Sequence, residues 1–211
     1  MAETILYGVP NSPYVRGARL ALEEKGADYE LSEVPFGTWA QPPHVDRHPF
    51  ARVPAFEHRG FALYETQAIM RYVDAVFPGA PLQPADPRQA ARMNQVMGIV
   101  DWYVFPSISA GISFQRLIAK RVGMTPDEAR VQASLPKARV CLAALDRVLG
   151  DGRYFAGDQP SLADLMLAPH YFYFSLTPES RDLLGPHERL RRWWQGMETR
   201  DSIRRTQPQL N

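Results

Sequence analysis

The chain has 211 residues, 45% of them hydrophobic and 22% charged, enough for one large domain or two small ones of roughly 100–150 residues and too apolar for long disorder. Lys and Arg number 24 against 23 Asp and Glu, a net charge of +1, so no overall field favours nucleic acid or an anionic membrane. Cys141 is the only cysteine, which excludes an intrachain disulfide, a CxxC redox pair and a thiolate zinc site. Charges at Glu3, Arg16, Arg19, Glu23 and Glu24 interrupt any leader-like apolar run, and no stretch approaches the roughly 20 apolar residues of a membrane helix. The expectation is a soluble, cytoplasmic protein.

Thr4-Ile5-Leu6-Tyr7 is short, apolar and β-prone, and Gly8, Pro10 and Asn11 break the run. From Pro13 the period becomes helical: Val15, Ala18, Leu20, Ala21 and Leu22 form a stripe that stops at Lys25-Gly26. Residues 29–34 alternate like a half-buried strand. The proline- and histidine-rich stretch 36–49 predicts a loop with at most a short helix. Short strands follow at 53–56 and 60–63 around the His58-Arg59-Gly60 turn. A helix over 66–77 then presents Ala68, Ile69, Tyr72, Val73 and Val76 on one face. The order β-α-β-loop-β-β-α fills a first domain, residues 1–78.

PGAPLQPADPR at 78–88 carries four prolines and almost nothing to bury, so the linker is placed over 79–88. Residues 89–211 read as helix throughout. The pattern over 88–120 is long, with a kink predicted near Pro106. Thr125-Pro126-Asp127-Glu128 opens the next helix with a cap, a first-turn proline and acids, and Gly150 ends it. Ser161-Leu162-Ala163-Asp164 is the acidic form of a capping box. The body behind it, 165–176, is apolar all round and belongs at the centre of the helical domain. A shorter helix over 188–198 carries Trp193-Trp194. No GxxxxGK or GxGxxG phosphate loop occurs. His44, His48 and His58 sit among prolines and turns, and no metal site is expected from them.

Four segments, in order around the proline linker, resemble the glutathione transferase family. They are Tyr7-Gly8-Val9-Pro10-Asn11-Ser12-Pro13-Tyr14, His48-Pro49-Phe50-Ala51-Arg52-Val53-Pro54-Ala55-Phe56, Leu63-Tyr64-Glu65-Thr66-Gln67-Ala68-Ile69-Met70-Arg71-Tyr72, and Ser161-Leu162-Ala163-Asp164. The resemblance covers nearly the whole chain, and its look is closest to the serine-type phi, theta and tau-like branches. It implies an α/β thioredoxin-like N-terminal domain, an all-α helical C-terminal domain and a homodimer. The implied activity is transfer of the sulfur of glutathione, as co-substrate and without a metal, to a hydrophobic electrophile. Runners-up are a glutathione-dependent peroxidase or dehalogenase on the same fold, and a non-catalytic module that binds hydrophobic ligands or a partner protein.

The same resemblance assigns roles. Ser12, before Pro13 at a helix start, would stabilise the thiolate; the plain alternative is an N-cap. Tyr7 and Tyr14 are the competing donors, Tyr7 reading more as a core aromatic. Thr66 with its helix N-terminus suits the γ-glutamyl carboxylate and Glu65 the amine, although the pair would also cap the helix. Pro54 is cis in the family, which turns the Val53 backbone toward the cysteinyl part of glutathione. Arg52 either reaches a glutathione carboxylate or is a solvated surface side chain. Two departures stand out. Gly17 replaces the arginine that serine-type members carry five residues after the serine, with Arg16 and Arg19 flanking it. Trp39-Ala40 occupies the place of the basic residue for the glycine carboxylate, leaving His44, His48 or Arg52 to substitute. The electrophile is assigned to an apolar lining of Val9, Pro10, Phe36 and Trp39 with Trp102, Tyr103, Phe105 and Phe114, any one of which is also an ordinary core candidate. Phe50 is the loop aromatic expected to insert into a second copy, and Asp101 is a candidate acid supplied across that interface.

Overall fold

Strand β1 (Thr4–Tyr7) runs parallel to β2 (Glu30–Ser32) and antiparallel to β3 (Ala55–His58), which pairs antiparallel with β4 (Phe61–Tyr64). The sheet order is β2-β1-β3-β4. The parallel pair needs a crossover, and α1 (Pro13–Glu24) supplies it. Helices α2 (His44–Arg47) and α3 (Thr66–Val76) complete this part of the computed structural model, which describes residues 3–209. The expected thioredoxin-like arrangement is what the chain forms. β3 begins at Ala55 rather than Val53, because Pro54 has no N–H to give the ladder.

The first residues of α1 follow from its cap. Ser12 is extended, its hydroxyl oxygen accepts from the Val15 N–H, and Pro13 occupies the first turn. Val15, Ala18, Leu20, Ala21 and Leu22 are buried as the stripe predicts, and α1 packs on α3. Gly8 is fixed by close approach: a Cβ there would stand 2.4 Å from Val15 Cγ2 and 3.3 Å from Val53 Cβ.

The proline-rich segment after α3 is tied down. Lys25 Nζ donates to Asp74 Oδ1 at 3.1 Å and to the carbonyls of Gly79 and Ala80. Asp74 in turn accepts the backbone N–H groups of Leu82 and Gln83. Both partners of this ion pair are almost fully buried, and Leu82 is buried too. A stretch that reads as having nothing to bury is held by a saturated polar cluster.

Residues up to Gln83 form one compact unit, which the segment from Arg200 onwards rejoins; Pro84–Thr199 forms the second. The second unit contains α4 (Pro87–Ile99), α5 (Glu128–Leu149), α6 (Leu162–Ser175), α7 (Ser180–Leu184) and α8 (Glu188–Glu198). Helix α9 (Asp201–Arg205) lies in the returning segment. Where a kink is predicted near Pro106, the structure shows a change of winding: Val100–Ile118 is a π-helix. The wider turn suits a position whose ring cannot donate to the preceding turn. This helix crosses α5 so closely that a Cβ on Gly111 would meet Ser134 Oγ. Helix α5 starts at Glu128, two residues later than Pro126 suggests, because Asp127 is the residue whose carboxylate accepts from the Arg130 N–H.

The helical run Pro87–Val122 is, against the sequence reading, long and apolar enough by composition to cross a membrane. Its apolar residues Val96, Val100, Val104, Ile108 and Ile112 instead form protein core, against α5 and α6. Core helices of such bundles share this composition.

Helix α6 is the centre predicted for it, buried from Leu162 to Tyr171 without a break. Within it His170 is fully buried, its Nδ1 2.7 Å from Ser109 Oγ, and burial pushes its pKa down to about 3. An unfolded histidine takes its proton near 6.5, so between about 6.5 and 3 the unfolded chain binds the extra proton. This histidine costs the fold nothing above that window and progressively more as pH falls through it, by at most about 1.4 kcal/mol per pH unit. Asp164, whose pKa burial raises, works in the opposite sense, so the comparison must be made against a variant. The melting temperature of wild type is expected to fall relative to His170→Asn between pH 7 and pH 4.5; parallel curves would remove the histidine from the account.

Candidate functional site

Sheet register gathers the candidate residues. Tyr7 lies opposite Ala55 on one side and Ser32 on the other, and Ala55 lies opposite Tyr64. The segments 8–12, 53–54 and 65–66 therefore all leave the same end of the sheet. Three motifs separated by up to about fifty residues become neighbours through strand pairing alone.

Ser12 sits at the N-terminus of a twelve-residue helix and is partly exposed. The Ser12 N–H donates to the Val9 carbonyl at 3.0 Å, and its carbonyl accepts from the Arg16 N–H at 2.9 Å. Its hydroxyl accepts from Val15 N–H over a long 3.4 Å. Capping uses a lone pair of that oxygen and leaves the hydroxyl proton for donation. The N-cap reading and the thiol-activating reading are thus compatible in one side chain.

The Val53-Pro54 peptide bond is cis, as is Pro42-Pro43. Val53 is buried, while the Arg52 side chain is exposed. The Arg52 carbonyl accepts from His44 Nε2 at 2.7 Å, which fixes the proton of His44 on that nitrogen because a carbonyl only accepts. His48, one turn on, is buried with its ring 4.9 Å from that of Tyr64. Burial, then the neighbouring His44, holds its pKa below the usual histidine value. Of the three basic candidates for the glycine carboxylate, two are interior and only Arg52 is exposed. Among the described residues, no three His, Cys, Asp or Glu side chains gather into a group that could hold a metal ion.

Glu65 has φ +71°, a left-handed value unusual for a residue with a Cβ. Such conformations persist where surrounding structure enforces them, and functional sites are enriched in them. Glu65 is exposed and makes no side-chain cap to α3. Thr66, the first residue of that helix, is 5% exposed. The opening N–H groups of α3 and its dipole face this end of the sheet.

The remaining candidates are spread more widely. Tyr7 is buried, with the Arg47 guanidinium 4.2 Å above its ring, and Tyr14 is partly exposed in α1. Val9 and Pro10 are partly exposed in the Ser12 loop. Trp39 donates its indole N–H to the Val34 carbonyl and meets Phe36 edge-on. In the second unit, Trp102 is 77% exposed on the π-helix beside Asp101 and the exposed Tyr103; Phe105 and Phe114 are half-buried. Phe50 is 67% exposed, edge-on to His48 and Tyr64.

Sequence reasoning missed what three residues, His44, Arg16 and Arg19, do in the fold. His44 anchors the loop before Val53, a role that only the fold reveals. Arg16 and Arg19 flank Gly17 and are the candidates to compensate for the arginine missing there. Arg16 is fully buried and donates to the Ile203 carbonyl and Thr206 hydroxyl, while Arg19 donates to the Tyr29 hydroxyl. An arginine within an apolar stripe was the signal available.

Comparison with known proteins agrees with this fold. The family described as glutathione S-transferase, N-terminal domain matches residues 2–75, and the glutathione S-transferase C-terminal domain matches residues 128–195. Glutathione S-transferase 1 of Zea mays is 31% identical over 207 residues, 97% of this chain and 96% of that one. Glutathione S-transferase 3 of Zea mays is 30% identical over 210 residues, 98% and 94% of the two chains. Among solved structures, glutathione S-transferase III in apo form matches with a TM-score of 0.86 at 30% identity, over 97% of this chain and 95% of that one. Glutathione S-transferase I from maize, in complex with an atrazine glutathione conjugate, matches at 0.84 and 29% identity, over 97% and 96%. A four-stranded thioredoxin-like sheet followed by an all-helical unit is the fold of this class of transferase. The chain belongs to the glutathione S-transferase family.

Proposed function

We propose that this chain binds glutathione at the gathered end of its sheet and activates the thiol through Ser12. The observation that carries the reading is the Ser12 hydroxyl at a helix N-terminus, with its proton available for donation beside the 53–54 and 65–66 segments. A free thiol has a pKa near 8.5, so only about 3% is thiolate at pH 7. A hydroxyl donor and the helix dipole both favour the charged sulfur. The thiolate then attacks an electrophilic carbon, whose leaving group or double bond takes up the electron pair.

The other roles follow from the chemistry of glutathione. Thr66, with the first amides of α3, receives the γ-glutamyl carboxylate, and Glu65 accepts from the amine. The Val53 backbone before cis Pro54 pairs with the cysteinyl unit. Arg52 takes the glycine carboxylate in place of the residue lost at Ala40. Val9, Pro10, Trp39, Trp102 and Phe105 supply apolar surface for the electrophile. The working form is a cytoplasmic homodimer with Phe50 inserting into its partner and Asp101 of the partner subunit near the amine.

The test of the binding assignment is Thr66→Val. A charge-assisted hydrogen bond contributes about 1.5–3 kcal/mol, so KM for glutathione should rise about 10- to 100-fold with kcat within about twofold. An unchanged KM would remove Thr66 from the site.

A further inference from the structure

The segment 200–209 runs back along the whole of α1, and its contacts divide by position. At the C-terminal end of the helix, Glu24 accepts from Arg200 at 2.6 and 2.8 Å and from the Ser202 hydroxyl. Arg205 reaches Glu23. At the N-terminal end, the buried Arg16 donates through Nη2 to the Ile203 carbonyl at 3.1 Å and through Nε to Thr206 Oγ1 at 3.4 Å. Thr206 is itself fully buried and donates to the Ser202 carbonyl. Asn11 Nδ2 then reaches the Gln209 carbonyl at 3.3 Å. The strap therefore ends one residue away from Ser12 in contact, and the Arg16 N–H that it steadies is bonded to the Ser12 carbonyl.

We propose that this strap is a positioning element for thiol activation: Arg16 and Thr206 hold the first turn of α1 so that the Ser12 hydroxyl points at the glutathione sulfur. The inference rests on the Ser12 reading and adds a part of the chain nearly two hundred residues away. Its physical basis is the steepness of hydrogen-bond geometry. Donation weakens sharply as the donor–hydrogen–acceptor angle bends away from linear, so a rotation of the first turn costs activation without emptying the site. Arg16 occupies the interior next to Gly17, where the usual arginine is missing, and the strap supplies the acceptors that a buried guanidinium requires.

Thr206→Val keeps the shape and removes the acceptor of Arg16 Nε while leaving the Ile203 carbonyl to Nη2; Thr206→Ser keeps both acceptors. Arg16→Lys keeps the charge and shortens its reach. Glu24→Gln loosens only the far end of the strap. For each full-length variant, the pKa of the enzyme-bound glutathione thiol is read by ultraviolet titration, alongside KM, kcat and the melting temperature. Thr206→Val and Arg16→Lys should raise that pKa by about half to one unit, a three- to tenfold fall in the ionisation constant of the bound thiol, with kcat falling as thiolate is lost and KM for glutathione unmoved. Thr206→Ser should restore it, and Glu24→Gln should lower the melting temperature with the thiol pKa unchanged. Lowered melting temperatures with wild-type thiol pKa in Thr206→Val and Arg16→Lys would make the strap purely structural and overturn the inference. Ser12→Ala in the same titration separates the two readings. If it leaves the pKa where wild type has it, the Ser12 assignment falls and this inference with it. If it abolishes the shift while the strap variants keep theirs, only the strap is wrong.

Discussion

Asp164→Ala should lose about 3–5 kcal/mol of folding stability, the range for removing one partner of a buried charged network. The carboxylate is fully buried and accepts four donors. They are the Phe155 N–H at 3.1 Å, the Ser161 N–H and hydroxyl, each at 2.8 Å, and the Trp193 indole N–H at 2.9 Å. One side chain therefore closes the start of α6, fastens the 155 segment and anchors α8. Alanine leaves all four donors without their acceptor in a dry interior, where each orphan costs about 1–3 kcal/mol before relaxation. Asparagine preserves shape and one acceptor oxygen but turns an NH2 toward donors, so Asp164→Asn should also be destabilised, by less. Urea unfolding at matched protein concentration measures both. A shift within about 0.5 kcal/mol for alanine, the size of an ordinary surface change, would contradict the account.

Ser12→Ala should lower kcat/KM by about 10- to 100-fold, since a hydrogen bond to a charged group contributes about 1.5–3 kcal/mol. The loss should fall on kcat, because the carboxylates and amine of glutathione are assigned to other residues. Stability should change little: the bond from Val15 N–H is 3.4 Å long, and a cap lost to alanine costs about 1 kcal/mol in typical cases. Ser12→Thr retains the hydroxyl and should recover part of the rate. A Ser12→Ala enzyme with wild-type kcat/KM would move the search for the donor to Tyr7 or Tyr14.

How much of this was legible in the sequence depends on the range of the interaction. Local signals read well. The Ser161-to-Asp164 box, the Pro13 helix start and the Gly150 stop each depend on residues within one turn, and each stands where its spacing puts it. Strand edges read less well. Val53 looks β-prone, yet the ladder opens at Ala55 because the next residue after Val53 is a proline. The gathering of 8–12, 53–54 and 65–66 is set by register, which no single motif carries; the family resemblance carried it instead. What stayed hidden were contacts across long sequence separation. The acceptors of Arg16 lie 187 and 190 residues away. The donors to Asp74 come from a proline-rich stretch that reads as empty of structure. Helix α7, five residues long, has too few positions to show a period.

The most direct test of the central claim is an ultraviolet titration of the glutathione thiol bound to wild type and to Ser12→Ala. Wild type should bring the thiol pKa at least about one unit below its free value, and Ser12→Ala should lose most of that shift. A bound thiol that titrates at its free value in the wild-type enzyme would contradict activation at this site.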